Sequence, residues 1–179
     1  MFDKINVSKI VRSHLDTLQN DNTKKAGLDD YLTFLVLPAV VAAVLIWLPV
    51  HLNERATNII ITSLSILVGL LFNVIVLLFD LVTKDGKRSL KNRILKEVLA
   101  NITFSVLLAI VSILFTLLVS LPHPAVVRVV EFCLYFLLGQ FLLTCLMVLK
   151  RIYELFRNEM DELERTQTTA REDLGDSPQ

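Results

Sequence analysis

The sequence predicts an all-α, polytopic membrane protein with four transmembrane helices, both termini in the cytoplasm and a cytosolic extension of the fourth helix. Two observations carry this reading. First, 54% of the 179 residues are hydrophobic, yet 18 basic and 18 acidic residues leave no net charge. The apolar residues are gathered into long uncharged runs, whereas a water-soluble domain of this size spreads them at period 2 or 3.6. Second, the basic residues are sorted. Of the 18 Lys and Arg, all but Arg55 and Arg128 fall on one side of the runs, in the N-terminal, middle and C-terminal segments. Positive charge is retained in the cytoplasm, which sets both termini inside.

Taken in order, residues 1–30 read as a cytoplasmic amphipathic segment. Val7, Ile10, Val11, Leu15 and Leu18 mark one face of a short helix, suited either to the membrane surface or to another cytosolic segment. Residues 31–149 read as the four-helix transmembrane domain. The first span is 31–50, with Tyr31 and Trp47 as interfacial anchors and Pro38 as the site of a kink. The second is 59–82, where Thr62, Ser65, Gly69, Asn73 and Asp80 recur at three, four, four and seven residues. Such a stripe favours protein contact over lipid.

The basic loop KDGKRSLKNRILK follows, with Asp85-Gly86 as its turn and Ser89 as an N-cap for the next helix. The third span, 102–121, carries the most regular pattern in the chain. Asn101, Ser105, Ala109, Ser112, Thr116 and Ser120 form a seam of small residues that lets another helix approach closely. The fourth span, 125–149, runs on without Gly or Pro into a charged stem at 150–165. The stem keeps Ile152, Phe156, Met160 and Leu163 at helical spacing, as for a coiled-coil seam or a dock for a soluble partner. Residues 166–179 read as a disordered tail.

Chemistry is sparse. His14, His51 and His123 all lie outside the spans, and HExxH, CxxC, GxSxG and phosphate-loop motifs are absent. Asp80 and Glu131 fall near opposite ends of their spans, so they cannot form an aspartyl pair. Cys133 and Cys145 stand about 18 Å apart on one helix and cannot bridge each other. The sequence therefore implies no enzyme, cofactor or metal, and its neutral charge makes no case for nucleic-acid binding. No cleavable signal peptide is visible.

Arg128 and Glu131, three residues apart in the fourth span, are the costly intramembrane pair. Two roles are open to them: an interfacial pair that steadies the helix end, or a ring of charge around an oligomer axis. Asn73 and Gln140 lie at similar depth and could share a hydrogen bond, within a subunit or between subunits.

In size and layout the chain resembles the small four-pass membrane proteins of bacterial anti-phage operons. That resemblance implies an inner-membrane subunit that anchors a soluble partner or disturbs the membrane. The functional expectation is an oligomeric membrane effector or pore-like component acting with a cytosolic partner. The partner would be held through residues 1–30, 84–96 and 150–165. The alternative is a non-conducting anchor or sensor that recruits a soluble protein. A proton-coupled exporter is a third reading, since the small multidrug exporters are similar in span count; their glutamate belongs to the first span, however, whereas Glu131 belongs to the fourth.

Overall fold

A computed structural model describes residues 7–17, 28–48, 52–84, 89–119 and 124–175. Five helices account for nearly all of them: α1 (Val7–Thr17), α2 (Leu28–Trp47), α3 (Glu54–Lys84), α4 (Ser89–Leu118) and α5 (Pro124–Gly175). No strand occurs among the described residues. In hydrocarbon this is the economical solution, because a helix satisfies its backbone donors and acceptors internally.

Helix starts follow local chemistry. Asn53 precedes α3 and accepts the Ala56 N–H through Oδ1 at 2.8 Å, satisfying one of the orphan donors of the first turn. α4 begins at Ser89, so much of the basic segment 84–96 is helix rather than loop. α5 opens on Pro124, whose missing N–H is of no consequence in a first turn. Pro38 lies inside α2, which runs through it unbroken. α5 is 52 residues long, about 78 Å at the usual rise. It continues to Gly175, so residues 166–175, expected to begin a disordered tail, extend the helix. The reason is local: TQTTAREDL contains neither Gly nor Pro, and adding a residue to an existing helix costs far less than starting one.

Three helical stretches are long and apolar enough to cross a membrane: Glu54–Asp80, Ile94–Leu118 and Val126–Arg157. The apolar part of α2, Thr33–Trp47, is shorter. Packing is a row rather than a closed bundle. α4 and α5 share the most extensive contact, α2 lies on α5, α3 lies on α4, and α1 lies on α4 as well. The apolar core runs along α3, α4 and α5, through Leu64, Leu71 and Leu78, then Val98, Ile102 and Leu108, then Phe141 and Val148. Its end nearest the α5 stem is closed by Leu95 and Leu155, with Ile10, Val11 and Ile152 packed against it. α1 therefore packs on protein through Ile10 and Val11, while Val7 and Leu15 remain partly exposed.

The α2–α5 contact depends on one glycine. A Cβ built on Gly139 would lie 3.0 Å from Pro38 Cβ and 3.4 Å from Pro38 Cα. The proline ring thus rests directly on the α5 backbone, and both partners are too rigid to yield easily. Gly139→Ala is expected to loosen α2 and destabilise the protein by about 1–3 kcal/mol. Leu142→Ala, at an exposed position of the same helix, should matter less. Thermal unfolding of the two variants in one detergent checks this; equal stability would remove the close approach as a constraint.

Candidate functional site

The most developed polar constellation lies where α1 meets the N-terminal half of α4 and the root of the α5 stem. In α1, Val7, Ile10, Val11 and His14 share one helical face, so docking α1 carries the imidazole inward. His14 is only 1% exposed and Asn101 is fully buried. His14 Nδ1 is 2.8 Å from Asn101 Oδ1. An amide oxygen can only accept, so the bond puts the imidazole proton on Nδ1. Thr17 Oγ1 lies 2.6 Å from the His14 carbonyl and 2.8 Å from Asn101 Oδ1, so its single proton is shared between two acceptors. The imidazole stacks on Phe104 of α4, with centroids 4.0 Å apart, and meets Phe34 of α2 at an angle.

Arg151 completes the arrangement from α5. Its Nη2 donates to the Thr17 carbonyl at 2.8 Å, and its Nη1 pairs with Glu97 of α4. A cation on the last carbonyl of a helix satisfies an orphan acceptor and complements the negative end of the helix dipole. Three helices are thereby tied by one connected set of polar groups: α1 through His14 and Thr17, α4 through Asn101 and Glu97, α5 through Arg151. The Nε2 of His14 and the Nδ2 of Asn101 are buried without a hydrogen-bond partner.

The residues singled out from sequence are distributed as follows. Ser105, Ala109, Ser112 and Thr116 are fully buried along α4. Their hydroxyls bond back to carbonyls one turn earlier, Ser105 to Asn101, Ser112 to Leu108 and Thr116 to Ser112, at 2.7–3.0 Å. Thr144 does the same on α5. Ser105 is also within hydrogen-bonding reach of the Cys145 thiol, which places this part of the seam against α5. Glu131 is buried and accepts the Leu52 N–H at 3.1 Å, tying α5 to the segment that leads into α3. Arg128, one turn away, is exposed.

Asn73 and Gly69 lie on the outer face of α3. Gln140 is half-buried in α5 with Oε1 unpartnered. α3 and α5 are not neighbours, so Asn73 and Gln140 do not meet within the chain. In the stem, Ile152 packs into the core whereas Phe156 and Met160 are exposed. The Leu163 side chain falls outside the described residues. Among those residues no group of three His, Cys, Asp or Glu side chains could hold a metal ion.

From sequence, His14 is noted only as lying outside the spans. Its signal was available: a histidine in line with Val7, Ile10 and Val11 is a polar group in the middle of an apolar face. The partners from α4 and α5 lie far away in the chain, and no local pattern links them.

Fold and geometry together define a class: an all-helical protein with three helices long and apolar enough to cross a membrane, and an N-terminal helix latched to two of them, α4 and α5. Comparison with protein-family models, curated proteins and solved structures finds no match to this chain.

Burial of His14 predicts a pH dependence for the latch. Burial lowers the His14 pKa below its usual 6.5, with the Asn101 bond opposing the shift. Charged groups near it are Glu97 and Arg151, which pair with each other, while Lys9 and Arg12 of α1 are exposed. A base with a lowered folded-state pKa binds its proton more readily once undocked. Docking of α1 is therefore fully present above about pH 6.5 and weakens as pH falls toward the lower folded-state value. The protection factors of the α1 amides in lipid nanodiscs, each rate being compared with intrinsic exchange at the same pH, should fall between pH 7.5 and 5.5 in the wild type. In His14→Gln the protection factors should hardly differ between the two pH values. Equal protection of wild-type α1 at both pH values would contradict the assignment.

Proposed function

We propose that the protein is a four-span integral membrane component of the bacterial inner membrane, with both termini cytoplasmic, that holds a soluble partner on the α5 stem and acts as an oligomer. The single observation carrying this reading is the continuity of α5. One helix leads from an apolar stretch into a charged stem, and Tyr153, Phe156 and Met160 follow one stripe there at 49–65% exposure. That stripe is separate from Ile152 and Leu155, which pack within the chain. An apolar line on a polar helix, left uncovered by its own protein, suits an amphipathic partner helix or a coiled-coil seam.

The charge distribution supports the orientation, since the basic residues flank the spans on one side only. The fourth span would be α2 with the apolar residues that follow Trp47 in the sequence. The latch supports a role in signal relay, because it couples α1 to the root of the stem through Arg151. The reading contains no catalytic step. Its cellular setting is the one the layout implies, anti-phage defence with the stem-bound protein as sensor or co-effector. A conducting assembly is the second reading, favoured by the polar side chains on the outer face of α3, which could line a water-filled axis in an oligomer.

Two measurements test the proposal. Periplasm-active reporters fused after Glu54 or His123 should give signal, and fusions after Gly86 or Gly175 should not; signal at Gly86 would overturn the topology. Phe156→Asp or Met160→Asp should leave membrane insertion intact and release the co-purifying soluble protein. Wild-type protein that brings down no soluble partner, together with stem variants indistinguishable from it in cells, would sink the anchor reading. Current through reconstituted wild-type protein alone would establish the conducting one.

A further inference from the structure

α3 is the least enclosed of the membrane-length helices, with 11% of its most apolar window buried. α4 is its sole neighbour among the described helices. The face against α4 is formed by Leu64, Leu71 and Leu78, a strict seven-residue repeat with 3–9% exposure. At 100° per residue, Thr62, Ser65, Gly69 and Asn73 cluster within about 80° of arc, on the side of the helix opposite that seam. All four are exposed. The polar stripe thus points away from the other described helices.

The side chains on this stripe make different demands. Ser65 Oγ donates to the Ile61 carbonyl at 2.8 Å, so it needs no outside partner and presents a small surface. Around a Cβ built on Gly69 there is nothing within 4 Å, so the backbone there is open to close approach. Asn73 is different. It lies about 10 Å along the axis from Asp80 and about 28 Å from Glu54, well inside the apolar stretch. Its carboxamide has no hydrogen-bond partner among the described residues. In hydrocarbon neither its donors nor its acceptor can be satisfied by solvent.

We propose that this face is the contact between two copies of the chain, packed α3 against α3 about a two-fold axis along the membrane normal. The inference rests on α3 crossing the bilayer. A second copy fits for two reasons. A carboxamide is both donor and acceptor, so Asn73 is complementary to itself. A two-fold axis along the normal also brings each residue opposite its own counterpart, so the two amides match in depth by symmetry, whereas a foreign helix would have to supply that match separately. Gly69 and Ser65, one and two turns away, let the backbones come near enough for the amides to meet. The stripe is also narrow and short: Ile66, Leu70 and Phe72 flank it and Val76 ends it one turn beyond Asn73, each exposed and apolar. Flanks of that kind suit a dry helix pair edged by lipid better than the wall of an aqueous channel.

The test uses the full chain in native membranes, in a Cys133→Ala, Cys145→Ala background. Single cysteines are introduced as Gly69→Cys, Asn73→Cys, Leu70→Cys and Leu71→Cys, and mild oxidation is applied. Covalent dimers should form at least several-fold more readily at positions 69 and 73 than at 70, which is rotated about 100° from 69 and about 60° from 73, or at 71, which faces α4. Gly69→Leu in the otherwise native chain should convert a dimer into a monomer by mass in nanodiscs. Equal cross-linking at position 70, a monomeric wild type, or adducts of a foreign mass would each overturn the proposal. So would rapid labelling of Asn73→Cys by a membrane-impermeant thiol reagent, which would make the stripe a water-lined axis. Alkaline extraction separates the levels of failure. Release of the protein from membranes would refute the membrane reading itself, whereas retention without dimers would refute only the contact.

Discussion

Everything in this fold hangs on the close approach of α4 and α5. Two apolar helices in hydrocarbon gain nothing from hiding surface that lipid already solvates, so association must come from packing and hydrogen bonds. The α4 seam supplies the packing. Serine and threonine hydroxyls there return their protons to their own helix one turn back, leaving a surface that is small, locally satisfied and free of long side chains. Thr144 repeats the device on α5. With that pair in place, α3 needs only one face for α4 and α2 only one face for α5, which produces a row with open outer surfaces.

The second constraint acts where α1 docks, and there polar contacts carry the order. The latch is built from groups whose valences interlock. Arg151 ties the end of α1 to Glu97, and Asn101 serves both His14 and Thr17 through one oxygen. Asn101 is also the residue whose carbonyl receives the Ser105 hydroxyl, so the latch and the membrane seam meet at a single position. A change in how α1 docks is therefore felt at the first turn of the seam and at the root of the stem. That is the physical content of any coupling between the N-terminus and the stem.

The parts of this arrangement readable from sequence are those written as periodicity within one helix. The four-residue recurrence from Ser105 to Thr116 identifies a face before any neighbour is known, and those residues are fully buried. The length and apolarity of α3, α4 and α5 are equally local. Pairing between helices was not legible. Asn73 and Gln140 match in depth and chemistry, but depth carries no information about which helices are adjacent, and α3 and α5 are separated by α4. Arg128 and Glu131 are close in sequence, but the carboxylate is turned toward the segment before α3, which no spacing rule within α5 could reveal. Pro38 against Gly139 is the same kind of fact, two rigid residues about a hundred positions apart whose fit exists only in three dimensions.

The distribution of polar groups also orders the two open surfaces of the row. On α4 and α5 the membrane hydroxyls are turned inward and spent on their own backbones, while the outer positions Ile110, Leu114, Leu142 and Leu146 are all exposed and apolar. Lipid is a sufficient neighbour for those positions. On α3 the arrangement is reversed, with leucine inward and hydroxyl, glycine and carboxamide outward. A helix that merely filled the edge of the row would gain from the opposite choice, since leucine outward is inexpensive in lipid and a small residue inward tightens packing. The inversion is therefore difficult to ascribe to α3's place within one chain. On the proposed α3–α3 contact, the free edge of the row belongs to protein and the outer faces of α4 and α5 to lipid.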